Sequence, residues 1–234
     1  SKIEAEKLAV EQMPLNVVQL IHDVESIIKP LAQEKQLLFK INYAFPLPHT
    51  INSDITRLKQ ILINIASNAV KFTEQGQVTI TAKYQAPKTL TFVIEDTGIG
   101  MSSNQISRLF TPFEQADATT TRRFGGTGLG LCISKNLAQL LGGDVSVTSE
   151  VGVGSCFTID IDCHLGNGLS SNLLLTEHSQ LSPEKDPQLS FATNNFDAHI
   201  LVAEDNPDNQ LLIKLLLQTW GLEPDIANNG AQAV

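Results

Sequence analysis

The chain has 234 residues, enough for one or two domains, and 42% of them are hydrophobic, enough to fill a core. A formal net charge of -9 argues against nonspecific nucleic-acid binding, which needs clustered Lys and Arg, so any polyanionic ligand must be met by local charge and metal. No apolar run approaches the roughly 18 residues of a membrane span, and no targeting segment is expected from the opening residues. Cys132, Cys156 and Cys163 stand in no metal-ligand spacing, which points to reduced packing thiols in the cytoplasm.

Residues 1–12, rich in Glu, Lys and Ala, read as the end of a longer helix. An extended piece around Met13-Pro14-Leu15 leads to Asn16, a good N-cap. Val17, Leu20, Ile21, Val24, Ile27, Ile28 and Leu31 then recur at helical spacing. Residues 37–43 read as a strand followed by a Pro-containing loop. Ser53 or Asp54 then caps a second helix that buries Leu58, Ile61, Leu62, Ile65, Ala69 and Phe72. Val78, Ile80, Ala82 and Tyr84 alternate with polar residues, as do Leu90, Phe92 and Ile94, and Ala86-Pro87-Lys88-Thr89 turns between them: a hairpin.

The segment 98–127, rich in Gly, Thr and Ser, exceeds an ordinary connection and reads as a mobile lid. A third helix starts near Gly128, turns Leu129, Ile133, Leu137 and Leu140 inward, and ends at Gly142-Gly143. With strands at 145–149 and 155–163, the whole is an α+β sandwich of two layers, helices on one face of a mixed sheet. Residues 164–198 shift to Ser, Asn, Gln and Pro and read as a flexible linker, in which Leu173-Leu174-Leu175 is a candidate for docking. Ile200-Leu201-Val202-Ala203 then reads as a strand, Glu204-Asp205-Asn206-Pro207 as a turn and 211–220 as a helix, the beginning of a doubly wound β-α-β unit.

Asn64, Asn68 and Lys71 stand at i, i+4 and i+7 and share one stripe of the second helix. Amide oxygens suit a hard cation and a Lys ammonium suits phosphate, although such a stripe is equally a solvated helix face. Asp96 sits at a strand end before Gly98 and Gly100, where a carboxylate can accept from a flat amine-bearing ligand; alone, Asp-Thr-Gly is an ordinary turn. Residues 125–130 supply backbone N–H groups unobstructed by Cβ and feed a helix N-terminus, an anion-binding arrangement that is neither a P-loop nor a dinucleotide fingerprint.

Taken together, Asn64-Ile65-Ala66-Ser67-Asn68-Ala69-Val70-Lys71-Phe72-Thr73, Asp96-Thr97-Gly98-Ile99-Gly100, Phe110-Thr111-Pro112-Phe113 and Gly125-Gly126-Thr127-Gly128-Leu129-Gly130-Leu131 resemble the ATP-binding catalytic domain of sensor histidine kinases. The resemblance extends over roughly residues 14–163 and implies the Bergerat fold shared with DNA gyrase and MutL. It implies that Asn64, Asn68, Lys71, Asp96, Gly98, Gly100, Phe113, Gly126, Thr127, Gly128, Leu129 and Gly130 bind ATP, with Asn68 as the Mg²⁺ ligand and Asp96 reading adenine. Asn64, Lys71 and Arg122 would be catalytic, and Phe110 and Phe113 would pin one end of the lid. Arg123 and Lys135 are further candidates, with surface solvation the plainer reading. Hydrolytic relatives carry Glu where this chain has Asn64, and Asn cannot take a proton from water, which favours transfer to a protein side chain.

The implied parent is a hybrid sensor histidine kinase of a two-component system. Residues 1–12 would end a phosphoacceptor helical hairpin, 13–163 form the catalytic domain, 164–198 the linker, and 199–234 a truncated receiver remnant in which Glu204 and Asp205 match the Mg²⁺-binding acids. The acceptor histidine is expected upstream, since His22-Asp23 lacks the Arg, Thr and Pro that should follow. Expected partners are that hairpin in a homodimer and receiver or histidine phosphotransfer proteins, with no nucleic acid and no membrane contact. Two rival readings are a catalytically silent ATP-sensing module and a hydrolytic Bergerat-type ATPase.

Overall fold

The strand Met13–Asn16 (β1) ends in a helix cap: Asn16 Oδ1 accepts the backbone N–H of Gln19 at 3.0 Å and starts α1, Val17–Glu34. The computed structural model describes residues 10–85, 88–111, 129–163, 174–176 and 199–205, with Gln210, Ile213, Lys214, Leu217, residues 222–229 and Gln232. They fall into two compact units, residues up to 176 in the first and from 199 in the second. Residues 1–9 of the expected helical tail lie outside the described residues, and Val10 to Gln12 carry no regular structure.

In the first unit α1 buries Leu20, Ile21, Val24 and Ile28, and β2 (Leu38–Ala44) follows. The Pro-containing loop expected next contains two short strands, β3 (Leu47–Pro48) and β4 (Thr50–Ser53). β4 pairs antiparallel with β1. Elements this short hold too few alternations to show a period, and a distant partner defines them. Asp54 is the cap of α2 (Ile55–Phe72), accepting the Arg57 N–H at 3.0 Å, and Ser53 belongs to β4.

The expected hairpin is β5 (Gln77–Gln85) and β6 (Thr89–Asp96). With β7 (Asp144–Glu150) and β8 (Gly154–Asp162) they form a five-stranded sheet of order β2-β5-β6-β8-β7, parallel only between β2 and β5. Val78, Ile80, Ala82, Leu90, Phe92, Ile94, Ile159 and Ile161 are buried on one face, under the helices. Each large side chain so buried stabilises the layer by roughly 1.5–3 kcal/mol. The expected two-layer α+β sandwich is what forms.

Two departures from the sequence reading lie near the site. A short helix, α3 (Ser103–Arg108), stands inside the segment expected to be a lid without periodic structure. A capping box starts it: Ser102 Oγ accepts the Gln105 N–H at 3.4 Å, and Gln105 Oε1 accepts the Ser102 N–H at 2.8 Å. Residues 112–128, most of that expected lid, lie outside the described residues.

The third long helix, α4 (Gly130–Leu140), buries Ser134, Leu137 and Ala138, whereas Ile133 and Leu140, expected inward, are 42% and 47% exposed. The inward face carries Gly130, Ser134 and Ala138 at i, i+4 and i+8, small residues that let α4 approach α2 closely. A reading by hydrophobicity alone misses that face. Phe72, expected on the buried face of α2, is half-buried. Gly142, at φ +78°, closes α4 in a Schellman motif, with Gly143 N–H on Ala138 O at 3.0 Å and Gly142 N–H on Gln139 O at 3.1 Å.

Within the expected linker, Leu174–Leu175 (β9) does dock, pairing antiparallel with β3. In the second unit Ile200–Ala203 (β10) and Pro224–Ala227 (β11) pair in parallel, and Gln210, Ile213, Lys214 and Leu217 are helical, the β-α-β order expected. Among the described residues no helix is long and apolar enough to cross a membrane.

Candidate functional site

Asp96 ends β6, directly opposite Ser155 of β8. Its Oδ1 accepts two backbone N–H groups, from Gly98 at 2.9 Å and Ser155 at 3.2 Å. Burial pushes the Asp96 carboxyl above its ordinary value, against the downward pull of those N–H groups and the Ser155 hydroxyl. Ser155 Oγ lies 3.0 Å from Ser149 Oγ, which donates to Gly154 O at 2.7 Å and accepts the Met101 N–H at 2.8 Å. A partly desolvated carboxylate is thus held rigid at a strand end, suited to accept from an amine.

The glycines beside it are required by protein packing. A Cβ on Gly98 would stand 2.5 Å from Phe72 O, and one on Gly100, at φ +66°, would overlap Glu150 O. The Ile99 N–H donates to Phe72 O at 3.2 Å. The Asp96 turn is thereby fastened to the C-terminal end of α2, which carries Lys71.

At the other end of the α2 stripe, Asn64 Nδ2 donates to Ser134 Oγ at 2.8 Å, and a Cβ on Gly130 would stand 2.6 Å from Asn64 Oδ1. Asn64 is therefore in contact with the first turns of α4. Asn68, between these ends, is half-buried and its side chain has no hydrogen-bond partner among the described residues. Lys71 Nζ stands 6.0 Å from the centroid of the Phe72 ring. Lys35, at the end of α1, holds the C-terminus of α2 by donating to the carbonyls of Val70, Lys71 and Thr73 at 2.9, 2.7 and 3.2 Å.

Leu129 stands at the N-cap position of α4, and its own side chain makes no capping hydrogen bond. Phe113, Arg122, Arg123, Gly126, Thr127 and Gly128 lie outside the described residues. Lys135, considered as a phosphate contact, points elsewhere: its Nζ is 2.7 Å from Asp144 Oδ1, donates to Val145 O at 2.9 Å, and stands 4.8 Å from the centroid of the Phe110 ring. Burial raises Asp144, but its hydrogen bonds, led by that from Lys135, hold the carboxyl below its ordinary value.

Glu204 and Asp205 follow the carboxyl end of β10, where Glu204 N–H donates to Ala227 O at 3.0 Å and Gln210 Nε2 donates to Glu204 O at 2.6 Å. Among the described residues no group of three or more His, Cys, Asp or Glu gathers as a metal cluster. His22 is an exposed residue of α1, and His49 bridges Asn16 and Thr50 at 3.3 and 3.0 Å. Burial pushes the Cys163 thiol up to about 11, so it is an inert packing group.

Sequence reasoning missed Ser155, Ser149, Ser134 and Lys35. Ser155 had a usable signal in Gly152-Val153-Gly154-Ser155: Gly154 has φ +132° and a Cβ there would collide with Asp96 O, a close pass to the strand that ends at Asp96. The role of Lys35 depends on two helix ends meeting, which no local pattern encodes.

Residues 53–165 match the family model of histidine kinase-, DNA gyrase B- and HSP90-like ATPases. Over its whole length the chain is 36% identical to the aerobic respiration control sensor protein ArcB of Escherichia coli and 33% identical to the autoinducer 2 sensor kinase/phosphatase LuxQ of Vibrio vulnificus. It spans about a quarter of these curated relatives, 28% and 27% of their lengths. Full-length ShkA in complex with AMPPNP superposes with a TM-score of 0.61 at 28% identity, over 99% of this chain and 44% of that one. Residues 53–165 thus belong to a histidine kinase-, DNA gyrase B- and HSP90-like ATPase domain, and over its whole length the chain is similar to sensor histidine kinases.

Proposed function

We propose that the first unit binds ATP with Mg²⁺ and transfers the γ-phosphoryl group to a histidine on a helical hairpin of a two-component sensor kinase. The observation that carries this reading is the double attachment of the α2 stripe, at Asn64 to the start of α4 and at Phe72 to the Asp96 turn. Those anchors lie about 12 Å apart along the helix at 1.5 Å per residue, a span suited to an extended nucleotide. Adenine would sit at Asp96, with its amino group donating to the carboxylate, and the phosphates at the N-terminal end of α4, where the helix dipole favours anions. Gly126, Thr127 and Gly128 would add backbone N–H groups there, and Phe113 would help close the site.

The residues present fit the metal that accompanies ATP: Asn68 offers an amide oxygen, half-buried on the same stripe and with no hydrogen-bond partner among the described residues. When bound, Mg²⁺ neutralises charge on the phosphates. Lys71 and Arg122 would steady the moving phosphoryl group. By the resemblance, hydrolytic relatives carry a Glu where this chain has Asn64, and an amide cannot take up the proton of an attacking water. This supports transfer to an imidazole over release to water. The second unit reads as the start of a receiver, with Glu204 and Asp205 at the carboxyl ends of parallel strands, the end at which doubly wound sheets hold ligands. Its partners would be receiver or phosphotransfer proteins.

The test is transfer in trans. The chain, γ-labelled ATP and a separately expressed phosphoacceptor hairpin are mixed, and acid-labile, base-stable label on the hairpin is followed beside free phosphate. Label on the hairpin that is lost with Asn64→Ala supports the kinase. Steady phosphate release with an unlabelled hairpin overturns it in favour of a hydrolase.

A further inference from the structure

Ser134 is 2% exposed in the contact between α2 and α4, a place where a helix core ordinarily takes a hydrocarbon. Its Oγ lies 2.8 Å from Asn64 Nδ2. The other side of the same amide rests on Gly130, where an added Cβ would stand 2.6 Å from Asn64 Oδ1 and 3.2 Å from Nδ2. A hydroxyl alone does not orient an amide, because it donates and accepts alike. Gly130 breaks the tie. A Cα–H that faces an oxygen is weakly favoured, whereas an NH₂ in that place would press hydrogen against hydrogen. One turn apart on α4, Gly130 takes the oxygen of the amide and Ser134 takes its nitrogen.

We propose that Ser134 is a positioning residue for phosphoryl transfer: with Gly130 it locks the Asn64 amide so that the carbonyl oxygen faces the N-terminal end of α4. This rests on the reading of Asn64 as part of the nucleotide site. The two ends of an amide are opposites, since the oxygen accepts from a cation or a water O–H and the NH₂ repels both kinds of partner. Without the serine the amide turns about its last torsion, which is broad and two-fold, and the wrong end faces the phosphates for part of the time. Substrate still binds through Asp96. Productive geometry is what is lost, so the effect falls on turnover.

Two readouts test this on the full chain. In nitrogen-labelled protein, the Asn64 side-chain signals are identified by their loss in Asn64→Ala. The lock predicts two well-separated N–H protons in the wild type and in Ser134→Thr, and a converged pair exchanging at least about tenfold faster in Ser134→Ala, as expected for loss of one buried hydrogen bond. In the transfer assay at saturating ATP, Ser134→Ala falls about tenfold in kcat with KM for ATP within about threefold, and Ser134→Thr stays within about threefold of wild type. If Ser134 only fills space, Ser134→Ala alters the melting temperature and leaves both the Asn64 signals and kcat unchanged, which overturns the proposal. If the wild type transfers nothing, the kinase reading fails instead, and the amide signals still decide the role of Ser134.

Discussion

Ser155 faces Asp96 across the β6–β8 ladder and gives its backbone N–H to the Asp96 carboxylate at 3.2 Å, so a neighbouring strand holds the acid where a ligand could meet it. That carboxylate is partly desolvated, and desolvation raises its affinity for a proton in the folded state.

Asp96→Asn separates binding from stability. A raised folded-state value means that ionised Asp96 costs the native state stability, a cost absent below the ordinary Asp range and complete once pH has risen through the folded value. Replacing it with a neutral isostere removes that cost at pH 7. The melting temperature of Asp96→Asn should therefore equal or exceed wild type at pH 7, an advantage that shrinks toward pH 3. Calorimetry should show ATP-analogue affinity reduced at least about 100-fold, the scale of a charge-assisted hydrogen bond lost from a buried site.

Gly100→Ala tests the packing of the Asp96 turn. The residue sits at φ +66° with Glu150 O where a Cβ would go. Backbone strain of this kind costs roughly 1–3 kcal/mol, to be read from urea melts, and nucleotide affinity should fall with it because Met101 and Ser149 move together.

Gly130→Ala acts on chemistry with little effect on the fold. Alanine is favoured over glycine within a helix by about 1 kcal/mol, which offsets part of the crowding against Asn64. Melting should change little, while transfer to a supplied hairpin should drop at least about tenfold as Asn64 is displaced.

Lys135→Met distinguishes an anchor from a phosphate contact. Lys135 is committed to Asp144, Val145 O and the Phe110 ring. Its loss should cost under about 1 kcal/mol, as for a partly exposed ion pair, and leave analogue affinity within about threefold. Asp144 is held below its ordinary value, so the stability it contributes is present above the ordinary Asp range and is lost as pH falls through the folded value. The gap between wild type and Lys135→Met should close in acid.

The framework was legible in the sequence because its signals are local. Asn16 and Asp54 are caps, α1 and α2 keep a helical period over eighteen residues each, and β5 and β6 alternate cleanly. The stripe Asn64, Asn68, Lys71 and the position of Asp96 at a strand end also follow from spacing. Contacts made across the chain were not legible. β3 and β4 are too short to show a period, and Leu174–Leu175 was readable only as an unplaced apolar run. On α4 Leu137 is inward as read, but Ile133 and Leu140 were misplaced because the rest of the inward face is built from Gly130, Ser134 and Ala138, residues suited to closeness and to the Asn64 amide. Hydrophobicity ranks Ile133 and Leu140 above them.

The central claim is that the stripe on α2 and the turn at Asp96 form one metal-dependent nucleotide site. A calorimetric titration with a nonhydrolysable ATP analogue, with and without Mg²⁺, on the wild type and on Asn68→Ala, tests it most directly. The account predicts saturable one-to-one binding that weakens at least about tenfold without Mg²⁺ and by a similar factor in Asn68→Ala, with little further loss when both are removed. A folded wild-type chain that binds no nucleotide, or binds equally well without metal and without Asn68, would contradict it.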